Sequence, residues 1–139
     1  MYHLITTITI ERVISYSGRK DTFSIVQGDR LIPVTHEISG FMNKNAKPET
    51  KKFSYAEFRP IAEAFESLDF AKIFKESGDS FGCDGWTLRC TIANLSSEIS
   101  IQLWCPSENP EVPETTKFLQ VCNKVAALFP ENYGNRLSM

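Results

Sequence analysis

The sequence predicts an α+β fold. It reads as one domain with an antiparallel sheet of about five strands, in the element order β-β-β-α-β-β-α, and two main helices packed on the sheet's apolar face. Three observations carry this. Residues 86–105 form a hairpin whose register separates apolar from polar side chains. Three alternating segments precede it within residues 4–38. Two stretches with helical spacing, about residues 55–66 and from Pro113 onward, supply a covering layer.

The hairpin is the firmest of the three. Centred on Leu95 and Ser96, it pairs residues whose numbers sum to 191. Trp86, Leu88, Cys90 and Ile92 then face Cys105, Leu103, Ile101 and Ile99, all apolar. The opposite face pairs Thr87 with Trp104, Arg89 with Gln102, Thr91 with Ser100 and Ala93 with Glu98. A one-residue slip would move the whole apolar set into water, so the register is strongly specified. Trp104 is the one large apolar residue on the polar face.

At the N-terminal end, Leu4, Ile8, Ile10, Ile14 and Tyr16 share one parity while Thr7, Thr9, Glu11 and Ser15 take the other, as in a half-buried strand. "SGRK" is a turn, and "DTFSIVQ" returns antiparallel with Phe23 opposite Ile14. After a turn at "GDR", "LIPVTHEI" is a third strand, expected at a sheet edge because Pro33 cannot donate to a ladder. Residues 39–52, with four lysines and little apolar content, read as a loop.

Ser54 and Glu57 have the spacing of a capping box, and Phe58, Ile61, Ala62, Phe65 and Leu68 follow at helical intervals, with Pro60 expected in the first turn. "DFAKIFKE" adds a short turn. The last helix opens with Pro113 and Glu114, carries Phe118, Val121, Cys122, Val125, Leu128 and Phe129 on one stripe, and stops at Pro130. The tail, residues 130–139, is expected to be loose.

Composition bounds the function. The chain has 139 residues, 42% hydrophobic and 23% charged, so it can bury a core without staples. Fifteen basic against seventeen acidic side chains give a net charge of -2, which argues against nucleic acid as the partner. "MYHLITTITIERVISY" has no basic leader and no uninterrupted apolar run, so no membrane segment is expected and a cytoplasmic location is. The four cysteines are then expected as unpaired thiols. Their spacings of seven, fifteen and seventeen residues fit no zinc pattern, so no metal and no cofactor is expected. Cys90, Cys105 and Cys122 read as small buried hydrophobes. No Gly-rich phosphate loop, nucleophile elbow or metalloprotease helix occurs, and no catalytic residue is assigned.

"GCDGWTLRC", "IQLWCP" and "TKFLQVCNKVAALF" together resemble a family of small uncharacterised bacterial α+β proteins with a DG-W hairpin start, a strand ending in W-x-P and a helix with a Phe and Cys stripe. Here Trp86 follows Gly85 directly. The resemblance spans most of residues 11–129. It implies the fold and a bacterial cytoplasmic origin, and similar small acidic α+β proteins are often immunity proteins encoded beside toxins.

Two function classes follow. The preferred one is a non-enzymatic immunity-type protein that neutralises a cognate toxin by protein-protein binding. Its contact surface would centre on Trp104 with Arg89 diagonally across, rimmed by Glu108, Glu111 and Glu114 of the acidic loop "PSENPEVPE". The alternative is a small-molecule-binding or enzymatic domain with a pocket near Cys83 and Asp84. Homodimerisation through an open sheet edge is compatible with either.

Overall fold

The structure, a computed structural model, describes residues 7–15, 17–27, 30–40, 47–77 and 85–129. Six antiparallel strands form one sheet: β1 (Thr7–Ile14), β2 (Lys20–Val26), β3 (Leu31–Ser39), β4 (Glu49–Ser54), β5 (Trp86–Ala93) and β6 (Glu98–Trp104). Helices α1 (Tyr55–Glu66) and α2 (Phe70–Ser77) lie between β4 and β5 in the chain, and α3 (Pro113–Ala126) follows β6. The spatial order is β4-β3-β2-β1-β5-β6, so the N-terminal meander and the C-terminal hairpin join along β1 and β5.

The sheet has one strand more than the sequence predicts. β4 occupies the end of the lysine-rich stretch read as a loop. Its pattern is masked because an edge strand resists unwanted pairing by carrying charge, and lysine is the usual means. Lys51 points to the helix side, where its Nζ donates to the Leu128 carbonyl at 2.9 Å and stands 5.2 Å from the centre of the Phe129 ring. Its aliphatic stem can cover the core while its charge meets the C-terminal end of α3.

Because β4 takes the edge, β3 is interior. Pro33 is tolerated there because the β2 ladder stops at Val34 and Ile25, leaving it past the last paired position. The β1–β2 register also differs from expectation. Phe23 faces Ile10, not Ile14, and Arg12 faces Asp21. The turn lies two residues earlier than expected, closing between Ile14 and Arg19, with Gly18 at φ 71° supplying the left-handed step. Opposite charges on facing positions favour this register. The expected one would set Arg12 against Ile25.

The β5–β6 register is the expected one, from Thr87 with Trp104 to Ala93 with Glu98. Asn94 ends β5, its carboxamide oxygen accepting from Ser96 N at 3.0 Å and Ser97 N at 2.9 Å. On the helix side Ile8, Ile10, Phe23, Ile25, Val34, Leu88, Cys90 and Ile101 form one core with Phe58, Phe65, Ile73, Phe118, Cys122 and Val125. The other face is solvated. The pairings align Thr50, Thr35, Ser24, Thr9, Thr91 and Ser100 in one hydroxyl row across all six strands.

The Ser54–Glu57 capping box forms as expected, with Glu57 N donating to Ser54 Oγ at 3.1 Å and Ser54 N to Glu57 Oε1 at 2.8 Å. Pro60 lies inside α1 instead of in its first turn, on an exposed face where water can reach the carbonyl it leaves without a donor. "DFAKIFKE" forms α2 rather than an isolated turn. α3 ends at Ala126, before Pro130, and tight bonds from Leu128 N to Val125 O and Phe129 N to Ala126 O finish it.

Candidate functional site

The site grows from the end of β6. Trp104 keeps the strand's alternation and falls half-buried on the outer, polar face opposite Thr87. Cys105 then leaves the strand at φ 44°, which makes it half-buried where a core position was expected. Its N–H still donates to Trp86 O at 2.8 Å, and its Sγ accepts from Trp86 N at 3.4 Å. Gly85 closes the corner at φ 116°. A Cβ there would stand 2.5 Å from Cys105 Sγ and 3.4 Å from Trp104 Nε1. The indole therefore lies over a backbone position that only glycine leaves open.

The loop after this corner is pinned rather than loose. Thr116 Oγ accepts from Asn109 N and donates to Asn109 O, both at 2.8 Å. Val112 N also donates to Asn109 O at 3.0 Å, and Glu111 N to Asn109 Oδ1 at 2.9 Å. Asn109 thus ties the loop to the first turn of α3, and Glu108 and Glu111 remain exposed on it.

The third part is the start of α3. Val112 in the N-cap position has no side chain able to cap, so the first N–H groups need an acceptor from elsewhere. Glu76 of α2 provides it. Its Oε1 accepts from Thr115 N and Thr115 Oγ, each at 2.8 Å, and its Oε2 from Glu114 N at 3.2 Å. Burial would raise the Glu76 carboxyl, but the donations from Thr115 and Glu114, with a smaller contribution from Lys72, hold it below its ordinary value.

Glu114 itself points inward. It is 8% exposed, accepts from Asp69 N at 2.9 Å and meets Lys117 Nζ at 3.4 Å. The rim expected from Glu108, Glu111 and Glu114 therefore consists of the first two. Glu114 sits in the first turn of α3, where facing α2 lets it accept the Asp69 N–H at that helix's start.

These elements enclose an open cleft of about 160 Å³ lined by Glu76, Leu103, Trp104, Pro106, Ser107, Val112 and Thr115. Arg89, the diagonal neighbour of Trp104, is exposed and has its guanidinium on Gln102 Oε1, at 3.1 Å from Nε and 2.8 Å from Nη2. Cys83 and Asp84, the alternative pocket residues, lie outside the described residues. The sequence reading missed Glu76, Ser107 and Thr115. A legible signal was the absence of a capping side chain at Val112, which demands an acceptor that sequence cannot locate.

A second polar cluster lies under the helices. Asp21, Arg12 and His36 are 2%, 8% and 3% exposed. Arg12 Nη2 donates to Asp21 Oδ2 at 2.7 Å, His36 Nε2 lies 3.0 Å from Asp21 Oδ1, and Arg19 reaches Asp21 Oδ1 at 3.0 Å and Oδ2 at 3.1 Å. His36 stacks on Phe23, with ring centroids 4.3 Å apart. Burial would raise the Asp21 carboxyl, but hydrogen bonds from His36, Arg19 and Arg12 hold it well below the usual carboxylate range. Little of this cluster is accessible, and its contacts join β1, β2 and β3 beneath the core face.

The described cysteines carry free thiols. Burial pushes Cys90 up to about 12 and Cys122 well above its ordinary value, with Cys90 adding to the latter. Neither is a ready thiolate. Among the described residues no helix is long and apolar enough to cross a membrane, and no group of His, Cys, Asp and Glu has metal-site geometry. No protein-family model matches the chain, and no curated protein matches it.

Proposed function

We propose that this chain is a non-enzymatic cytoplasmic binding protein of the immunity type, which neutralises a cognate toxin by covering a basic surface on it. The supporting observation is Trp104. A tryptophan standing half-buried in an otherwise polar sheet face, at the lip of a cleft, is the kind of residue that anchors protein contacts. Glu108 and Glu111 add negative charge beside it on a loop already ordered by Asn109 and Thr116, so binding would order little further chain. Among the described strands β6 is also a sheet edge, the kind of element along which a partner can pair.

The experiment is calorimetry between this protein and the product of the reading frame next to its own gene, paired with an assay of that product's toxicity in cells. Stoichiometric binding that suppresses toxicity is the expected result. A neighbouring product that neither binds nor is neutralised overturns the immunity reading.

A further inference from the structure

On the solvated face of the sheet the described strands carry six charged side chains, Glu11, Lys20, Glu37, Lys52, Arg89 and Glu98. Glu11 and Lys20 neutralise each other at 3.0 Å near the middle of the sheet. The other four are exposed and make no ion pair among the described residues, Arg89 resting on the neutral Gln102. Two rows hold them, one on each side of the hydroxyl row. Glu37 on β3 and Arg89 on β5 share the first, and Lys52 on β4 and Glu98 on β6 the second. Since the strand order is β4-β3-β2-β1-β5-β6, a half-turn about a line between β1 and β2 exchanges β3 with β5 and β4 with β6, and so exchanges each charge with one of opposite sign. We infer that this face docks on the same face of a second copy of the chain, in a dimer whose two-fold axis runs along the strands between β1 and β2.

That axis keeps every row at its own height. Glu37 then faces Arg89 and Lys52 faces Glu98 of the copy, each contact occurring twice, as an isologous interface requires. The hydroxyl row lies on the copy's hydroxyl row, where each group can both donate and accept. Apolar exposure agrees. Val26, Leu31 and Leu95, at 45%, 44% and 99%, are three of the four most exposed large apolar side chains among the described residues, and all lie at the end of the sheet beyond the hydroxyl row. Leu31 is two residues beyond Pro33 on β3 and Leu95 two beyond Ala93 after β5, positions that the axis brings to one corner. An axis across the strands instead sets Glu37 over Pro33 and Arg89 over Ala93, and the charges meet no counterpart. Six strands about 4.8 Å apart, with rows about 6.8 Å apart, make a face on the order of 500 Å² per copy, which suits a weak, micromolar dimer. Aligned sheets pack about 10 Å apart at about 30°, a gap that Lys, Arg and Glu side chains span from both sides. None of these contacts uses Trp104 or the loop carrying Glu108 and Glu111, so the dimer stands apart from the binding surface proposed above.

The test is sedimentation velocity on the full chain from about 1 to about 500 μM, the range an interface of this size calls for. A dimer fraction that grows with concentration is expected. Glu37→Arg alone and Arg89→Glu alone each set like charges against one another twice per dimer, so each should weaken association at least about tenfold. Mixed one to one, the two variants present opposite charges at both contacts and should form a mixed dimer close to the native affinity. Glu37 and Arg89 stand about 14 Å apart within one chain, three strand spacings, so this rescue has no route inside a single copy. Thermal midpoints within about 2 °C of the native value check that both variants fold. Lys52→Glu and Glu98→Lys, on the two outermost strands, repeat the cycle at the second contact and replace the first pair if either of its members is unstable. A chain that stays monomeric over the whole range, a dimer that both single variants retain, or folded single variants that remain monomeric when mixed would each overturn the face-to-face dimer.

Discussion

Arg12 and Asp21 face each other across the first hairpin, buried beneath the helices and joined at 2.7 Å. Removing one partner from a buried ion pair leaves the other charge without compensation, which costs about 3–5 kcal/mol. Asp21→Asn is expected to destabilise the protein by that order at pH 7, measured by urea unfolding.

The same pair sets a pH dependence. The folded carboxyl of Asp21 titrates below its unfolded value, so its contribution is complete above about pH 5 and is lost as pH falls through the folded value. Glu57 and Glu76 are depressed in the same direction, Glu57 by the Ser54 backbone and hydroxyl groups. Stability should therefore fall steadily below about pH 4, and the gap between the native protein and Asp21→Asn should narrow there. Parallel stability curves for the two would contradict this assignment.

At Gly85 the expected outcome is set by φ 116° and the proximity of Cys105 Sγ and Trp104 Nε1. Gly85→Ala should cost roughly 1–3 kcal/mol, the usual cost of a strained backbone position, and should shift the Trp104 indole signal. Ala at exposed Ser107 should do neither.

Thiol reactivity separates the cysteines. Brief treatment of the folded protein with iodoacetamide, read by mass spectrometry, should leave Cys90 and Cys122 unmodified, since burial raises both thiols and denies the reagent access. Half-buried Cys105 should react faster than either. Rapid labelling of Cys122 would mean that α3 does not pack as described.

Much of the fold was legible because two patterns were unambiguous. The β5–β6 register follows from side-chain alternation alone, and the start of α1 from Ser54 and Glu57. What escaped was tertiary in origin. β4 carries lysines suited to an edge, so its alternation reads as a polar loop until Lys51 is seen covering Phe129. Arg12, Asp21 and His36 occupy core parity, yet each looks ordinary until the three strands bring them together. At the candidate site Trp104 was visible as an exception on a polar face. Glu114 was misplaced because a helix-start glutamate reads as exposed, and here it accepts the Asp69 N–H instead.

The most direct measurement on the proposed surface is a paired one on Trp104→Ala: affinity for the protein encoded beside it, and thermal midpoint. Partner affinity is expected to fall by more than about tenfold, equivalent to 1.4 kcal/mol, while the midpoint moves by no more than about 2 °C. A midpoint that drops by many degrees with affinity unchanged would place Trp104 in the fold's support and remove it from any contact surface.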